Sequence, residues 1–302
     1  MANVVKVTTV GSALQSVYLL DDGDSNISAV NYSVDGGGAN AAVTLARQGF
    51  DTSFMGVLGN DLAAQAVIDL FDTEGIDISS VKQTNRLGTG YKVLIANVDY
   101  TKYVYSGIST DFRLLDVDDL ARLQPDWIYM ADLSQSVDKL RQIVDMCVKL
   151  KIKIMLNPGK STISMAAKIK PLLEDVDVLL VDKTEARALF SGSSLEELIH
   201  HAASLVKVAI ITDAVNGSIA TDGKTLVRAG IYEDVPIVDR SGAGDSFGAG
   251  FLSQWAKGKS LKDSIWFASA NATAVVSSLG SQQGILPPKS QLHHMPIDEV
   301  AL

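Results

Sequence analysis

The sequence predicts an α/β fold on a mainly parallel sheet, with a small second β-layer, and three observations carry that expectation. From Trp127 to Ile211, apolar runs of strand length alternate with helical stretches, the pattern of parallel strands joined by right-handed crossovers. Before residue 108 the chain holds more short strands than such a sheet accommodates. A separate layer over the C-terminal edge of the sheet, where open α/β sheets bind ligands, would take them. Two glycine-rich turns, at 36–38 and 242–244, open directly into helical stretches.

Taken in order, Val4–Val10 alternates loosely and ends at Gly11, a first buried strand. Tyr18–Leu20 and Ile27–Val34 read as short strands around the acidic turn Asp21-Asp22-Gly23-Asp24. A helix over 39–48, small and apolar along one face, has Gly49 as its cap. A strand through Thr52–Val57 follows, then a helix from Asp61 to near Gly75. Gly90–Val98 and Lys102–Gly107 read as a hairpin around Asp99-Tyr100-Thr101. The alternating series is Trp127–Met130, helix 136–150, Ile152–Leu156, Val176–Val181, helices 183–190 and 194–206, and Val208–Ile211. No internal repeat or low-complexity linker interrupts it.

With 302 residues the chain is long enough for one large α/β domain or two smaller ones. Its 47% hydrophobic residues fill a sizeable core, and 20% charged residues argue against disorder. A net charge of −9 with no Lys/Arg run opposes nucleic-acid binding, so an anionic ligand would have to rest on backbone dipoles. The single cysteine, Cys147, lies in an apolar helical pattern and reads as a core residue in a reducing compartment. Met1-Ala2-Asn3-Val4-Val5-Lys6 reads as the approach to a strand rather than a signal peptide, and no apolar run reaches membrane-spanning length. The expectation is a soluble cytoplasmic protein with no membrane partner.

The chemistry concentrates in Asp239-Arg240-Ser241-Gly242-Ala243-Gly244-Asp245, which runs into Ser246-Phe247-Gly248-Ala249-Gly250-Phe251-Leu252. Small residues at 242–244 let backbone N–H groups approach a ligand, and a helix start adds unpaired donors and a positive dipole end. Asp245 sets a carboxylate beside that anion cradle, which is what phosphoryl transfer to a hydroxyl requires. The alternative is a glycine turn with Asp245 as the helix N-cap. Asp35-Gly36-Gly37-Gly38-Ala39-Asn40-Ala41-Ala42 is a second glycine turn opening a helix.

Together these segments resemble the two signatures of the ribokinase-like (PfkB) carbohydrate kinases, Gly-Gly-x-x-x-Asn-x-Ala approximately and Asp-Thr-x-Gly-Ala-Gly-Asp closely. The resemblance spans nearly the whole chain. It implies one domain over 1–302, a three-layer α/β/α fold with a mainly parallel sheet, and a small β-sheet lid from about 12–35 and 86–108. It implies Asp245 as catalytic base, with the backbone of Gly242, Ala243 and Gly244 holding the γ-phosphate charge. Gly36, Gly37 and Asn40 would touch substrate. Asp239 would anchor a substrate hydroxyl or a nearby monovalent-cation (K⁺) loop, unless it simply caps its turn.

Asp182-Lys183-Thr184-Glu185 stands where the family has Asn-x-x-Glu, with Glu185 organising water around Mg²⁺ and the nucleotide phosphates. Asp182 either binds Mg²⁺ more directly or is the N-cap of helix 183–190, with Glu185 completing a capping box. Thr212-Asp213-Ala214-Val215-Asn216-Gly217 matches the nucleotide-binding Thr-x-Gly-x-x-Gly except at Ala214, whose methyl is obstructive if φ is positive there. Asn271 lies on the helix whose family counterpart lines the adenine pocket; otherwise it is a surface or cap residue. Gly280–Pro288 would close over the base.

The departures bear on substrate. Gly11-Ser12-Ala13-Leu14-Gln15-Ser16 replaces the family's Gly-Ser-x-Asn-x-Asp, so Ser16 stands where an Asp accepts two sugar hydroxyls. Asp35 either takes over that recognition from the opposite wall or caps the glycine turn. Lys102 stands where some members place a lid Arg for acidic or phosphorylated substrates. Arg240 replaces the usual Thr and faces either a phosphate or Asp239. A dinucleotide enzyme is disfavoured, because Gly11 stands alone after the first strand. The resulting expectation is an ATP- and Mg²⁺-dependent kinase acting on a small sugar-like polyol, in a homodimer formed through the lid. An adenosine-like nucleoside kinase and a non-catalytic ligand-binding relative are the alternatives.

Overall fold

The computed structural model describes residues 4–21, 26–96, 101–133, 136–160 and 164–302. In chain order the first half holds β1 (Lys6–Val10), β2 (Leu14–Asp21), β3 (Ile27–Asp35), α1 (Gly37–Arg47), β4 (Asp51–Met55) and β5 (Val57–Gly59). Next come α2 (Leu62–Thr73), β6 (Lys82–Thr84), β7 (Gly90–Ala96), β8 (Thr101–Tyr105), α3 (Asp119–Leu123), β9 (Trp127–Ala131) and α4 (Val137–Leu150). The rest is β10 (Lys153–Asn157), α5 (Ala166–Ile169), β11 (Val178–Asp182), α6 (Lys183–Leu189), α7 (Leu195–Ala203) and β12 (Val208–Thr212). β13 (Ser218–Thr221), β14 (Thr225–Ala229), α8 (Ala243–Trp255), α9 (Leu261–Val276) and β15 (Ile297–Ala301) complete it.

Among the described residues the large sheet has the order β4-β1-β9-β10-β11-β12-β13-β14-β15. It is parallel from β4 to β12, and β13, β14 and β15 add antiparallel. Both faces of the parallel part are buried, which is why its strands read as near-continuous apolar runs. Ile128, Met130, Ile154 and Leu156 pack with Leu140, Ile143 and Val144 of α4 and with Leu198 and Ile199 of α7. Trp127, Tyr129, Met155 and Leu180 point the other way, onto Leu45 of α1, Phe251 of α8 and Ile265 of α9. Cys147 sits in the first of these cores, free and buried, as its apolar setting predicts. The three layers follow from this alternation.

The sequence reading stopped at Val208–Ile211 and missed the antiparallel edge. β13 and β14 are four and five residues long and turn at Asp222-Gly223, so neither carries a periodic signal. The helix starts were legible because their caps are local. Asp61 Oδ1 accepts from Ala64 N at 2.9 Å, and Ser136 Oγ accepts from Lys139 N at 3.3 Å.

The extra strands form a separate four-stranded sheet, β3-β2-β7-β8, with β2 and β7 parallel and the outer pairs antiparallel. Register divides its residues into two unlike faces. Ser33, Ser16, Lys92 and Val104 form one cross-strand row, with Asn31, Tyr18, Leu94 and Lys102 beside it. Tyr32, Val17, Val93 and Tyr103 form a row on the other face, which is apolar and partly exposed. The tip residues Asp99 and Tyr100, and most of the acidic turn after Asp21, lie outside the described residues.

Candidate active site

β1 ends at Val10, and Gly11 lies so close to Gly38 that a Cβ on either would clash with the other's backbone. This contact seats the start of α1 against the C-terminal end of the sheet. Asp35, at the end of β3, is buried there. Its Oδ1 accepts from Gly36 N at 2.8 Å and Asn40 Nδ2 at 2.7 Å, and its Oδ2 accepts from Ser16 Oγ at 3.4 Å. Asp35 thus caps the glycine turn and also faces the row containing Ser16. Its second oxygen is ion-paired with Lys92.

Asn40 is the hub. Its Nδ2 also donates to Asp245 Oδ2 at 2.9 Å, and its Oδ1 accepts from Ser281 Oγ at 2.9 Å and Gln282 Nε2 at 3.0 Å. Asp245 is not the N-cap of α8. Gly242 takes that position with φ +75°, and Asp245 lies in the first turn. The first helical bond runs from Ser246 N to Gly242 O at 2.8 Å, so the amides of Gly244 and Asp245 precede the helical ladder. A Cβ on Gly244 would meet nothing within 4 Å, whereas one on Gly37 would come within 3.2 Å of Asp245 Oδ1. Small residues therefore keep the carboxylate and the helix end open. Burial pushes the Asp245 carboxyl above its ordinary range and the charge of Asp132 adds to this; the Asn40 hydrogen bond and Lys92 pull the other way.

Asp239 is buried and held by donors. Its Oδ2 accepts from Tyr18 Oη at 3.0 Å and Gly280 N at 3.2 Å, and its Oδ1 accepts from Ser241 N at 2.9 Å. It therefore caps its turn and ties β2 to the 280 loop. Arg240 is exposed and forms no ion pair with it among the described residues. Lys102 is exposed on the edge strand β8, whereas Lys92, one strand inward, is buried. Burial pulls the Lys92 ammonium down to about 8, with the charge of Lys102 adding to the fall and Asp239 and Asp245 opposing it.

On the other side, Asp182 and Glu185 form a capping box at α6. Asp182 Oδ1 accepts from Glu185 N and Glu185 Oε2 from Asp182 N, both at 2.8 Å. Burial pushes Glu185 up to about 6, the Asp182 amide opposing and the charges of Asp182 and Asp132 adding to the rise. Among the described residues no group of three or more His, Cys, Asp or Glu is assembled to hold a metal. Glu185 with Asp182 still suits Mg²⁺, which keeps much of its water and takes one or two carboxylates alongside phosphates.

Thr212 ends β12, and the loop after it is tied to α6 by the Lys183–Asp213 ion pair at 2.7 Å. Ala214 has φ +49°, the conformation in which its methyl is unfavourable. Gly217 has φ +85°, and a Cβ there would lie 1.9 Å from Ala229 O, so no other residue fits. Asn271 is neither a surface nor a cap residue. Fully buried, it donates from Nδ2 to Ser246 O at 2.8 Å and accepts at Oδ1 from Leu286 N at 2.9 Å. It binds α9 to α8 and to the 280–288 loop.

Sequence reasoning passed over Lys92 and Asp132. The signal for Lys92 was a charged residue at an inward position of Gly90-Tyr91-Lys92-Val93-Leu94-Ile95. The signal for Asp132 was a carboxylate directly after a parallel strand, where φ is +47°.

The comparisons with known proteins fit this geometry. Residues 5–288 match the model of the pfkB family carbohydrate kinase. The ribokinase of Haemophilus influenzae is 26% identical over 268 residues, 84% of this chain and 85% of that protein. The guanosine-inosine kinase of Exiguobacterium acetylicum is 26% identical over 275 residues, 87% and 89% of the two chains. A ribokinase II candidate from E. coli, solved in complex with ATP and Mg²⁺, superposes with a TM-score of 0.83 at 19% identity, covering 94% of this chain and 96% of that one. No helix among the described residues is long and apolar enough to cross a membrane. With both signatures brought to one sheet edge, the chain belongs to the pfkB family of carbohydrate kinases, phosphotransferases that act on sugar hydroxyls.

Proposed function

We propose that this chain is a cytoplasmic ATP-dependent kinase that transfers the γ-phosphoryl group to a hydroxyl of a small sugar-like substrate. The observation that carries the reading is Asn40, whose amide holds Asp245 and Asp35 together at the open start of α8. An acceptor hydroxyl beside Asp245 Oδ1 gives up its proton to that carboxylate. The hydroxyl oxygen bonds to the γ-phosphorus, the bond to the β–γ bridging oxygen breaks, and ADP leaves. The amides of Gly244 and Asp245 face the transferring oxygens, where negative charge is held without reorganisation. Asp182 and Glu185 would hold Mg²⁺, which neutralises phosphate charge when bound. Thr212 and Gly217 border the nucleotide, Gly36 and Gly37 border the substrate, and the small sheet acts as the lid.

The lid's apolar outer row supports a homodimer formed through that face. Tyr32 and Tyr103 are 68% and 62% exposed there.

A screen of ATP turnover over neutral sugars, sugar acids and nucleosides, with Asp245→Asn as control, tests the reading. Turnover of a sugar that vanishes in the variant is expected. Turnover of inosine or adenosine alone would move the assignment to a nucleoside kinase, which the guanosine-inosine relative favours. No turnover of any would leave the non-catalytic ligand-binding reading.

A further inference from the structure

The polar face of the lid holds more hydrogen-bonding capacity than the protein itself uses. β3 and β7 are separated by β2, about 10 Å of sheet at ordinary strand spacing. Lys92 nevertheless reaches Asp35, because the residue it passes over is the short Ser16. The ammonium has three N–H donors, and among the described residues Asp35 is its one ion-pair partner. Lys92 is 4% exposed, so its remaining donors are shut off from bulk water. In the same row, paired directly with Ser16, Ser33 Oγ is buried and has no hydrogen-bond partner among the described residues. A Cβ on Gly280 would stand 3.8 Å from Ser33 Oγ and 3.8 Å from Tyr18 Oη, so both oxygens border the Gly280 backbone. An unsatisfied buried hydroxyl is costly, and one beside an ammonium with donors to spare marks a place for polar atoms.

We propose that Lys92, Asp35 and Ser33 form the substrate grip of this enzyme and that it selects neutral polyhydroxyl compounds over phosphorylated or carboxylated ones. The proposal rests on the kinase reading above. Asp35 is joined to Asp245 through a single amide, so a substrate that presents one hydroxyl to Asp245 brings its neighbours to Asp35 and Lys92. Lys92 donates to a hydroxyl or ring oxygen, Asp35 accepts from a hydroxyl, and Ser33 serves either way. An anionic substituent meets Asp35, Asp239 and Asp245, against one ammonium whose charge Asp35 already balances. Lys102, the other cation on this face, is exposed on the edge strand, where solvent weakens its pull. The carboxylate missing at Ser16 is thus replaced by an ion pair spread over three strands.

The test pairs binding with turnover. Calorimetric titration without nucleotide, and kcat/KM with ATP, would be measured for ribose, fructose and inosine and for fructose 6-phosphate and gluconate. At least one neutral compound should exceed both anions by about 10²-fold, the scale on which buried polar groups discriminate. Ser33→Ala, which removes an unsatisfied buried hydroxyl, should raise the KM of that compound about tenfold without lowering Tm and without changing the KM of ATP. Lys92→Met with Asp35→Asn removes both charges together and so avoids an orphaned ion; it should fold and lose the discrimination. Tighter binding of an anion, abolished by Lys102→Ala, would overturn the proposal and leave the kinase reading intact. So would unchanged selectivity in both variants. Selective binding of a neutral compound without turnover would sink the kinase reading and not the grip.

Discussion

Burial opposes the charge on Asp245, and that opposition has two measurable consequences. Its folded pKa lies above its unfolded value, so between the two the native state holds more protons and stability falls as pH rises. Above that window the ionised carboxylate costs stability, which the proposed base would retain for function. Asp245→Asn should raise Tm while lowering the rate by about 10²–10⁴-fold, with ATP affinity retained. A scanning-calorimetry trace and a single-turnover assay check the two halves. The acid limb of kcat/KM should lie above the ordinary carboxylate range. Asn271 is a different kind of residue, with both ends of its amide bound inside the protein. Asn271→Ala should cost about 1–3 kcal/mol by leaving buried partners unsatisfied. Urea unfolding would show this, and an ATP KM raised with no loss of stability would assign Asn271 to the adenine pocket. Asp245, the proposed base, was legible from seven consecutive residues, whereas the packing of Asn271 was not, because its partners are 25 and 15 positions away.

At the scale of elements, the loop between β12 and β13 contrasts two small residues. Gly217 is required by both its φ and its approach to Ala229, while Ala214 occupies a left-handed conformation with a side chain present. The strain at such a position is about 1–2 kcal/mol. Ala214→Gly should therefore stabilise the protein by up to about 1 kcal/mol after the added chain entropy of glycine. Chemical denaturation reads this directly, and a lower stability would mean that the loop prefers the alanine. The capping box of α6 shows why a local motif has two readings. Asp182 and Glu185 satisfy the orphan amides of the helix start, and they do so beside Asp132 at the sheet edge where phosphates are expected. Sequence spacing described the cap; the proximity of Asp132 is a tertiary fact.

For the whole molecule, the small sheet inverts the usual pattern, with Ser16, Asp35 and Lys92 buried on its polar face and Tyr32 and Tyr103 of its apolar row left to solvent. An inward polar face suits a substrate site, and an outward apolar face needs a partner. Light scattering should give twice the chain mass at micromolar concentration. Tyr32→Lys with Tyr103→Lys should shift that toward the monomer by placing charges in the centre of the patch. A wild-type chain that stays monomeric at high concentration would end the idea.

The sequence by itself determined the parallel alternation of strand and helix, the extra strands of the small sheet, the two glycine turns and the carboxylate of Asp245 beside one of them. Those features rest on short-range physics: strand and helix periodicity, caps within three or four residues, and glycines where backbone must approach. Only the tertiary structure decided that Asp35 is paired with Lys92, that Asn40 joins two carboxylates, that Asp239 ties its turn to β2, and that Lys102 faces solvent. It also placed the antiparallel strands β13 to β15, too short to announce themselves. Each of these depends on which residues a register or a crossover brings opposite one another. A lysine inside an apolar strand has no meaning until Ser16 is known to be its neighbour and Asp35 the group it reaches.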